Sequence, residues 1–202
     1  MGHLEPVWRE ITKRPGWNLS VINLGADQLP PKWDRGQIKW TWSDVKYPKG
    51  DSSVEIAGDM ARAIDHAAWA YSQFAPDLVL VMGDRYQALA AVAAAIPFGI
   101  PVAHIGGGDE TTGSYDNQIR HAITKMAHLH FVPHGEAHGR VLGMGEQGWR
   151  VHLTGLPSLD GIREWLASNR PPVERGEKLV VIFHSPTLEL ETAVEQAREV
   201  GR

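Results

Sequence analysis

Four acidic side chains stand just after short apolar runs, where a folded chain could bring them together for proton transfer. Asp84 follows the run Asp77-Leu-Val-Leu-Val-Met82 and Gly83, and Asp109 and Glu110 follow Val102-Ala-His104-Ile105 and Gly106-Gly107-Gly108. Asp116 comes a few residues later, ahead of Arg120 and His121. Carboxylates gathered at one rim raise each other's pKa, which suits general acid/base work. Gly107 and Gly108 let backbone N–H groups approach a ligand, and helix N-termini beginning nearby favour an anion. Arg85 and His104 stand beside the same run ends, Thr154-Gly155-Leu-Pro157-Ser158 marks another, and His184-Ser185 closes the run Lys178-Leu-Val-Val-Ile-Phe183.

Each feature also has a plainer reading. An Asp after a strand is often a helix cap, and three glycines can be only a tight turn. They do not form the G-x-G-x-x-G dinucleotide signature. Single histidines such as His104 and His121 are more often hydrogen-bonded structural groups than catalysts, and Arg120 could be a surface ion-pair residue. His134 and His138 share a helix face at a spacing that could chelate a metal. Gly135 weakens that first turn and no third ligand is evident, so a solvated helix is the favoured reading. No metal and no cofactor are expected.

The elements that would carry these residues alternate between strand and helix. Strands are expected over 77–82, 102–105, 129–132 and 150–153, and helices over 86–96, 116–128, 136–144 and 159–167. Nearly unbroken apolar runs suit strands buried on both faces, and short βα connections suit an open α/β sheet. In such sheets ligands gather outside the carboxyl ends of the strands, where the acidic residues lie. Upstream, a helix over 6–13 leads into a strand over 17–24, and 28–51 reads as a long loop holding at most a short extended segment. Ser52 or Ser53 caps a helix to Phe74, whose stripe of Ala57, Met60, Ala61, Ile64, Ala68 and Tyr71 is expected to pack on the sheet. A further helix is expected from about Leu188 to the end.

Residues 1–167 are therefore read as a first domain, 168–177 as a polar, Pro-rich linker, and 178–202 as the beginning of a second domain. Met1-Gly-His-Leu4 starts almost inside a helix with no strand leading in, so a chain shortened at both ends is expected. The unpaired sheet edge this would leave favours association with a second copy.

Composition removes other classes. The 202 residues are 43% hydrophobic and 22% charged, as in a soluble globular protein. A net charge of -4 argues against a partner that is nucleic acid or an anionic membrane. No apolar run approaches a membrane span. Zero Cys excludes disulfides, thiolate metal sites and cysteine nucleophiles, and fits a cytoplasmic setting.

Gly83-Asp84-Arg85-x-x-Ala-Leu-Ala, Ile-Pro-Val-Ala-His104-Ile-x-Gly-Gly and Asp116-x-x-Ile-Arg120-His121-Ala-Ile-Thr-Lys125 resemble the UDP-N-acetylglucosamine 2-epimerases. The similarity is greatest to the UDP-hydrolysing branch used in sialic and legionaminic acid synthesis. Thr154-Gly155-x-Pro157-Ser158-x-Asp160 and Phe183-His184-x-x-Thr187-Leu-Glu189 continue it in order. The resemblance implies two Rossmann-like domains of the GT-B type facing each other across a cleft. This chain would hold the first, a parallel sheet with helices on both faces, and the start of the second.

The implied substrate is UDP-N-acetylglucosamine or a related UDP-2-acetamido sugar. UDP would leave by anti elimination across C1–C2, and water would add to the glycal. Asp84 matches the family's catalytic aspartate, Asp116 its second acidic position, and His184 the histidine opening the second domain. Asp109 stands where a Glu usually follows Gly-Gly, with Glu110 beside it. Arg120 and His121 are expected to orient the acids, and Arg85, His104, Gly107, Gly108, Gly155 and Ser158 to line the substrate. Three other readings are a non-hydrolysing epimerase, a non-catalytic sugar-nucleotide-binding module and an NAD-dependent oxidoreductase, the last lacking its glycine fingerprint.

The family's first strand and most of its second domain would lie outside these residues. The 202-residue chain alone is accordingly expected to release little or no UDP from UDP-N-acetylglucosamine. Robust multiple turnover in a UDP-release assay would overturn that expectation.

Overall fold

The computed structural model describes residues 4–24, 38–42, 52–112, 114–168 and 193–200. In chain order the elements are α1 (Glu5–Thr12), β1 (Ser20–Asn23), β2 (Lys39–Trp42), α2 (Ser53–Phe74) and β3 (Val79–Met82). Then come α3 (Tyr86–Ala95), β4 (Val102–Ile105), α4 (Asp116–Met126), β5 (Leu129–Val132) and α5 (Gly135–Gly143). β6 (Val151–Leu153), α6 (Ser158–Ser168) and α7 (Ala193–Val200) complete them. The expected strand over 178–183 and His184 lie outside the described residues.

β3, β4, β5 and β6 form one parallel sheet in that order. Its register sets Val81 beside His104, His104 beside His130, and His130 beside Val151. Because side chains alternate along a strand, these residues share one face. That face carries Val79, Val81 and Val102 against α3 and α4, and Val132 and Val151 against Ala137 and Val141 of α5. α1 and α6 meet on the opposite side. The result is the α/β, Rossmann-like architecture expected of the first domain.

Two features differ from the sequence reading. β1 does not join this sheet; it pairs in parallel with β2, inside the stretch read as a loop. Four residues flanked by Pro and Gly offer too short a pattern to betray a strand by periodicity. The second difference is α2, which packs chiefly on α3 rather than on the sheet. Its buried stripe is Ala63, Ala67, Ala70 and Tyr71, facing a helix whose buried residues are nearly all Ala. Small side chains on both helices let them approach closely, so size as well as hydrophobicity chose the contact face.

Local chemistry sets the ends of α2. Ser52 caps it by accepting from the Glu55 N–H at 3.3 Å, and Ala75 in the left-handed region followed by Pro76 stops it. Tyr71, almost fully buried, donates its hydroxyl to the Ala91 carbonyl at 2.9 Å and so fastens α2 to α3. Burial raises the pKa of that hydroxyl, so it stays a donor. Tyr71→Phe should therefore cost about 1 kcal/mol in urea unfolding at neutral pH; unchanged stability would mean that this bond does not tie the two helices.

Candidate active site

The carboxyl ends of β3 and β4 turn on glycines held at positive φ: Gly83 at 79°, Gly106 at 80° and Gly108 at 76°. Ordinary side chains avoid that region, so these positions make the turns possible. The first turn presents Asp84, and the second leads to Asp109 and Glu110. α4 lies across both turns and brings Arg120 between them.

Arg120 is 5% exposed, and every contact given for its guanidinium ends on an oxygen. It donates to Asp84 Oδ2, to the Asp109 carbonyl at 2.7 Å, to Asn117 Oδ1 at 3.1 Å and to Thr111 Oγ1 at 3.3 Å. A guanidinium taken out of water needs such partners, because a buried cation without them is strongly unfavourable. The Asp84 side chain stays 23% exposed, and its Oδ1 has no hydrogen-bond partner among the described residues. One oxygen is thus anchored while the other can meet a ligand.

Asn117 was expected to do no more than cap a helix, with Asp116 as the other choice. Its side chain instead clamps the 109–112 loop, accepting from the Thr111 N–H at 2.8 Å and donating to the Thr111 carbonyl at 2.9 Å. Tyr115 holds the cap position of α4 and Asp116 begins the helix, one turn before Arg120. The positions of Asn117 and Arg120, three apart on a helix, could have signalled their shared face.

The other acids face cations rather than each other. Asp109 Oδ1 accepts from the Glu110 N–H at 2.9 Å and lies 3.3 Å from His134 Nε2. Glu110 pairs with Arg140 at 3.0 Å and lies 3.9 Å from His121 Nε2. Arg140, which the sequence did not single out, also donates to the Gly108 carbonyl. Burial lowers the His121 pKa, and although Glu110 opposes this, Arg120 and Arg140 reinforce it.

His104 was expected to touch substrate, but its ring is fully buried. Nε2 lies 2.8 Å from the Gly83 carbonyl and Nδ1 lies 3.2 Å from Thr124 Oγ1. Burial pushes its pKa down to about 4, so the ring is neutral at pH 7. A carbonyl can only accept, so Nε2 carries the proton and donates to it. The ring props up the turn that carries Asp84.

Gly107 and Gly108 are buried too. A Cβ at Gly107 would stand 2.9 Å from His104 Nδ1, and one at Gly108 would collide with the Ala137 carbonyl and stand 2.6 Å from Val141 Cγ2. Both glycines therefore allow tight packing of the loop on its neighbours, and not the open N–H cradle foreseen.

Arg85 occupies the N-cap position of α3 and lines a cavity between β1 and β3. Gly155 lines a different cavity beside α1 and α6, and Ser158 begins α6. None of these three has a described contact with the Asp84–Arg120 cluster. His134 is the N-cap of α5, where Nδ1 accepts from the Ala137 N–H at 3.3 Å. Among the described residues no group of three metal-ligating side chains occurs, and no helix is long and apolar enough to cross a membrane.

A parallel α/β domain with acids and a buried arginine at its strand ends defines the class, and comparison with known proteins gives the family. The sequence pattern of the UDP-N-acetylglucosamine 2-epimerases matches residues 35–200, and the chain belongs to that family. It is 30% identical to the GDP/UDP-N,N'-diacetylbacillosamine 2-epimerase (hydrolyzing) of Campylobacter jejuni over 96% of this chain and 54% of that protein. It is 41% identical to the UDP-N,N'-diacetylbacillosamine 2-epimerase (hydrolyzing) of Legionella pneumophila over 55% of this chain and 30% of that one. The crystal structure of UDP-GlcNAc 2-epimerase from Neisseria meningitidis bound to UDP-GlcNAc superimposes with a TM-score of 0.67 at 20% identity. That match covers 84% of this chain and 47% of the solved one. The chain thus spans about half the length, or less, of these relatives.

The buried histidine predicts a pH dependence. His104 has a folded-state pKa near 4, below the usual 6.5, so the unfolded chain binds its proton more readily. Its contribution is complete above about pH 6.5 and is lost as pH falls through about 4, roughly 3 kcal/mol in all. Urea unfolding at several pH values should show that loss, and His104→Asn should flatten the slope. An equally steep slope in the variant would remove His104 as the cause.

Proposed function

We propose that the chain supplies the acid-bearing wall of a hydrolysing UDP-sugar 2-epimerase. The substrate would be UDP-N-acetylglucosamine or a UDP-2-acetamido sugar with a further acetamido group. The single observation that carries this reading is Asp84, gripped through one oxygen by a buried arginine and open at the other.

A carboxylate at the rim takes the C2 proton of the sugar, and Asp84 is the proposed acceptor. The C2–H electrons form the C1–C2 double bond, and the C1–oxygen bond breaks with its pair leaving on UDP. Water then adds to the glycal, its hydroxyl to C1 and a proton to C2 from the opposite face. The products are UDP and the free 2-epimer, N-acetylmannosamine in the simplest case. Arg120 fixes the direction of Asp84, since a positioned base must meet the C–H bond within hydrogen-bond reach. Asp109, Glu110 and Asp116 supply negative charge toward the cationic character that develops at C1, and His184 is proposed to meet the sugar diphosphate from the second domain.

Two relatives named as hydrolysing support water as the final acceptor. A cytoplasmic setting goes with this reading, in keeping with the absence of Cys.

The test places these 202 residues in the Campylobacter jejuni relative in exchange for the stretch they match. Proton NMR in D2O, with both candidate UDP-sugars, should show UDP and a free 2-epimer carrying deuterium at C2. Asp84→Asn should lower the rate by about 10²–10⁴-fold, as expected for loss of a general base. A product still attached to UDP would replace this reading by the non-hydrolysing one, and binding without C2 exchange by a sugar-nucleotide-binding module.

A further inference from the structure

The two sheets leave unpaired edges toward each other. In β3, Val79 and Gly83 donate to the Pro101 and Ile105 carbonyls next to β4. Because the direction of backbone groups alternates, Leu80 and Met82 point their N–H and C=O groups away from β4. In β1 the Leu19 carbonyl accepts from Lys39 beside β2, so the backbone groups of Ser20, Ile22 and Leu24 point away from β2. Both outward edges line one cavity of about 1080 Å³.

The remaining walls are helices. Leu4, Trp8 and Ile11 of α1 line one side, and Tyr71, Ala88 and Ala91 of α2 and α3 line the other. The middle of the cavity is apolar. Its charged lining is confined to Lys39 at the β1 side, Asp77 where β3 is entered and Arg85 where β3 is left. α2 alone carries the chain from β2 back to β3, so β1 and β3 run in the same direction.

We infer that this cavity is the seat of one further β-strand, running parallel to β1 and β3 and hydrogen-bonded to both. Two edges and two helical walls are what a strand buried on both faces requires. The occupant is an extended peptide segment, apolar on both faces, with a basic residue at its start to meet Asp77. Once seated, it merges the two sheets into one. Its carboxyl end emerges beside Gly83, Asp84 and Arg85, so the residues after it join the rim. Strand addition of this kind takes its affinity from main-chain bonds and its selectivity from the flanking pockets.

The experiment uses the 202-residue chain and the synthetic peptide acetyl-Lys-Lys-Ile-Val-Val-Val-Thr-Gly-amide. It reads binding and not turnover, so its outcome is independent of the UDP-sugar reading. Hydrogen exchange followed by NMR should show the Leu80 and Met82 amides slowed about tenfold or more by millimolar peptide. The Val79 and Val81 amides, already bonded toward β4, should change less, and thermal unfolding should move upward. The same peptide with a central Pro should do neither. Leu80→Pro removes an outward N–H while leaving the β4 ladder intact, as an edge strand tolerates, and should abolish the response. If that variant does not fold, the exchange data on the unsubstituted chain decide. Leu80 and Met82 amides already protected without peptide, or unaffected by it, would overturn the inference. So would protection that grows with protein concentration alone, which would give the seat to a second copy.

Discussion

A guanidinium withdrawn from water cannot be left uncompensated, and the disposition of the site follows from that constraint. Arg120 reaches a carboxylate from the turn after β3, a carbonyl and a hydroxyl from the loop after β4, and an amide oxygen from its own helix. Three separately folded segments therefore share one cation. Displacing any of them weakens the pairing of a charge that burial makes costly. The same requirement gives Asp84 its aim, because the oxygen that answers Arg120 determines where the other can point.

α4 must be rigid for this to work, and its far end is secured by a second buried charge. Glu146, nearly enclosed, meets Lys125 at 2.5 Å, Arg150 at 2.9 Å and His130 at 3.3 Å. Burial acts to raise the Glu146 pKa, but Lys125, His130 and Arg150 together hold it below the ordinary value. Between the two ends, the Thr124 hydroxyl touches both the Arg120 carbonyl and the His104 ring. The helix is pinned to β4 and β5 at successive turns, and Arg120 inherits that fixity. Preorganisation of this kind is what a positioned base needs.

The parts of this architecture visible in the sequence are those with a local cause. β4 and β5 were foreseen over the residues they occupy, since Val102–Ile105 and Leu129–Val132 are short apolar runs bounded by turn residues. Ser52 as the cap of α2 was legible for the same reason. Pairing was not: nothing in Lys39–Trp42 announces a partner in Ser20–Asn23, because register depends on residues far apart in sequence. The site divides along the same line. Asp84 and Arg120 were visible as types in a pattern, whereas the roles of His104, Asn117 and Arg140 depend on what the fold sets beside them. His104 looked like a ligand-facing residue because it ends a strand, yet alternation turns its ring into the sheet–helix interface.

Asp109 and Glu110 show how far such indirect dependence runs. The shorter Asp109 turns its carboxylate back onto the neighbouring Glu110 amide and toward His134, while Glu110 extends to Arg140. Both cations belong to the N-terminal cap and body of α5, so α5, and not α4, holds these acids. α5 lies close enough only because Gly108 has no Cβ to strike Ala137 and Val141. A missing side chain in the loop thus decides the separation of helix and loop. That separation brings Arg140 and His134 within reach, and they in turn hold the acids facing the rim. The glycines foreseen as a cradle for ligand phosphates act one step earlier: they set the distance across which the charged groups meet.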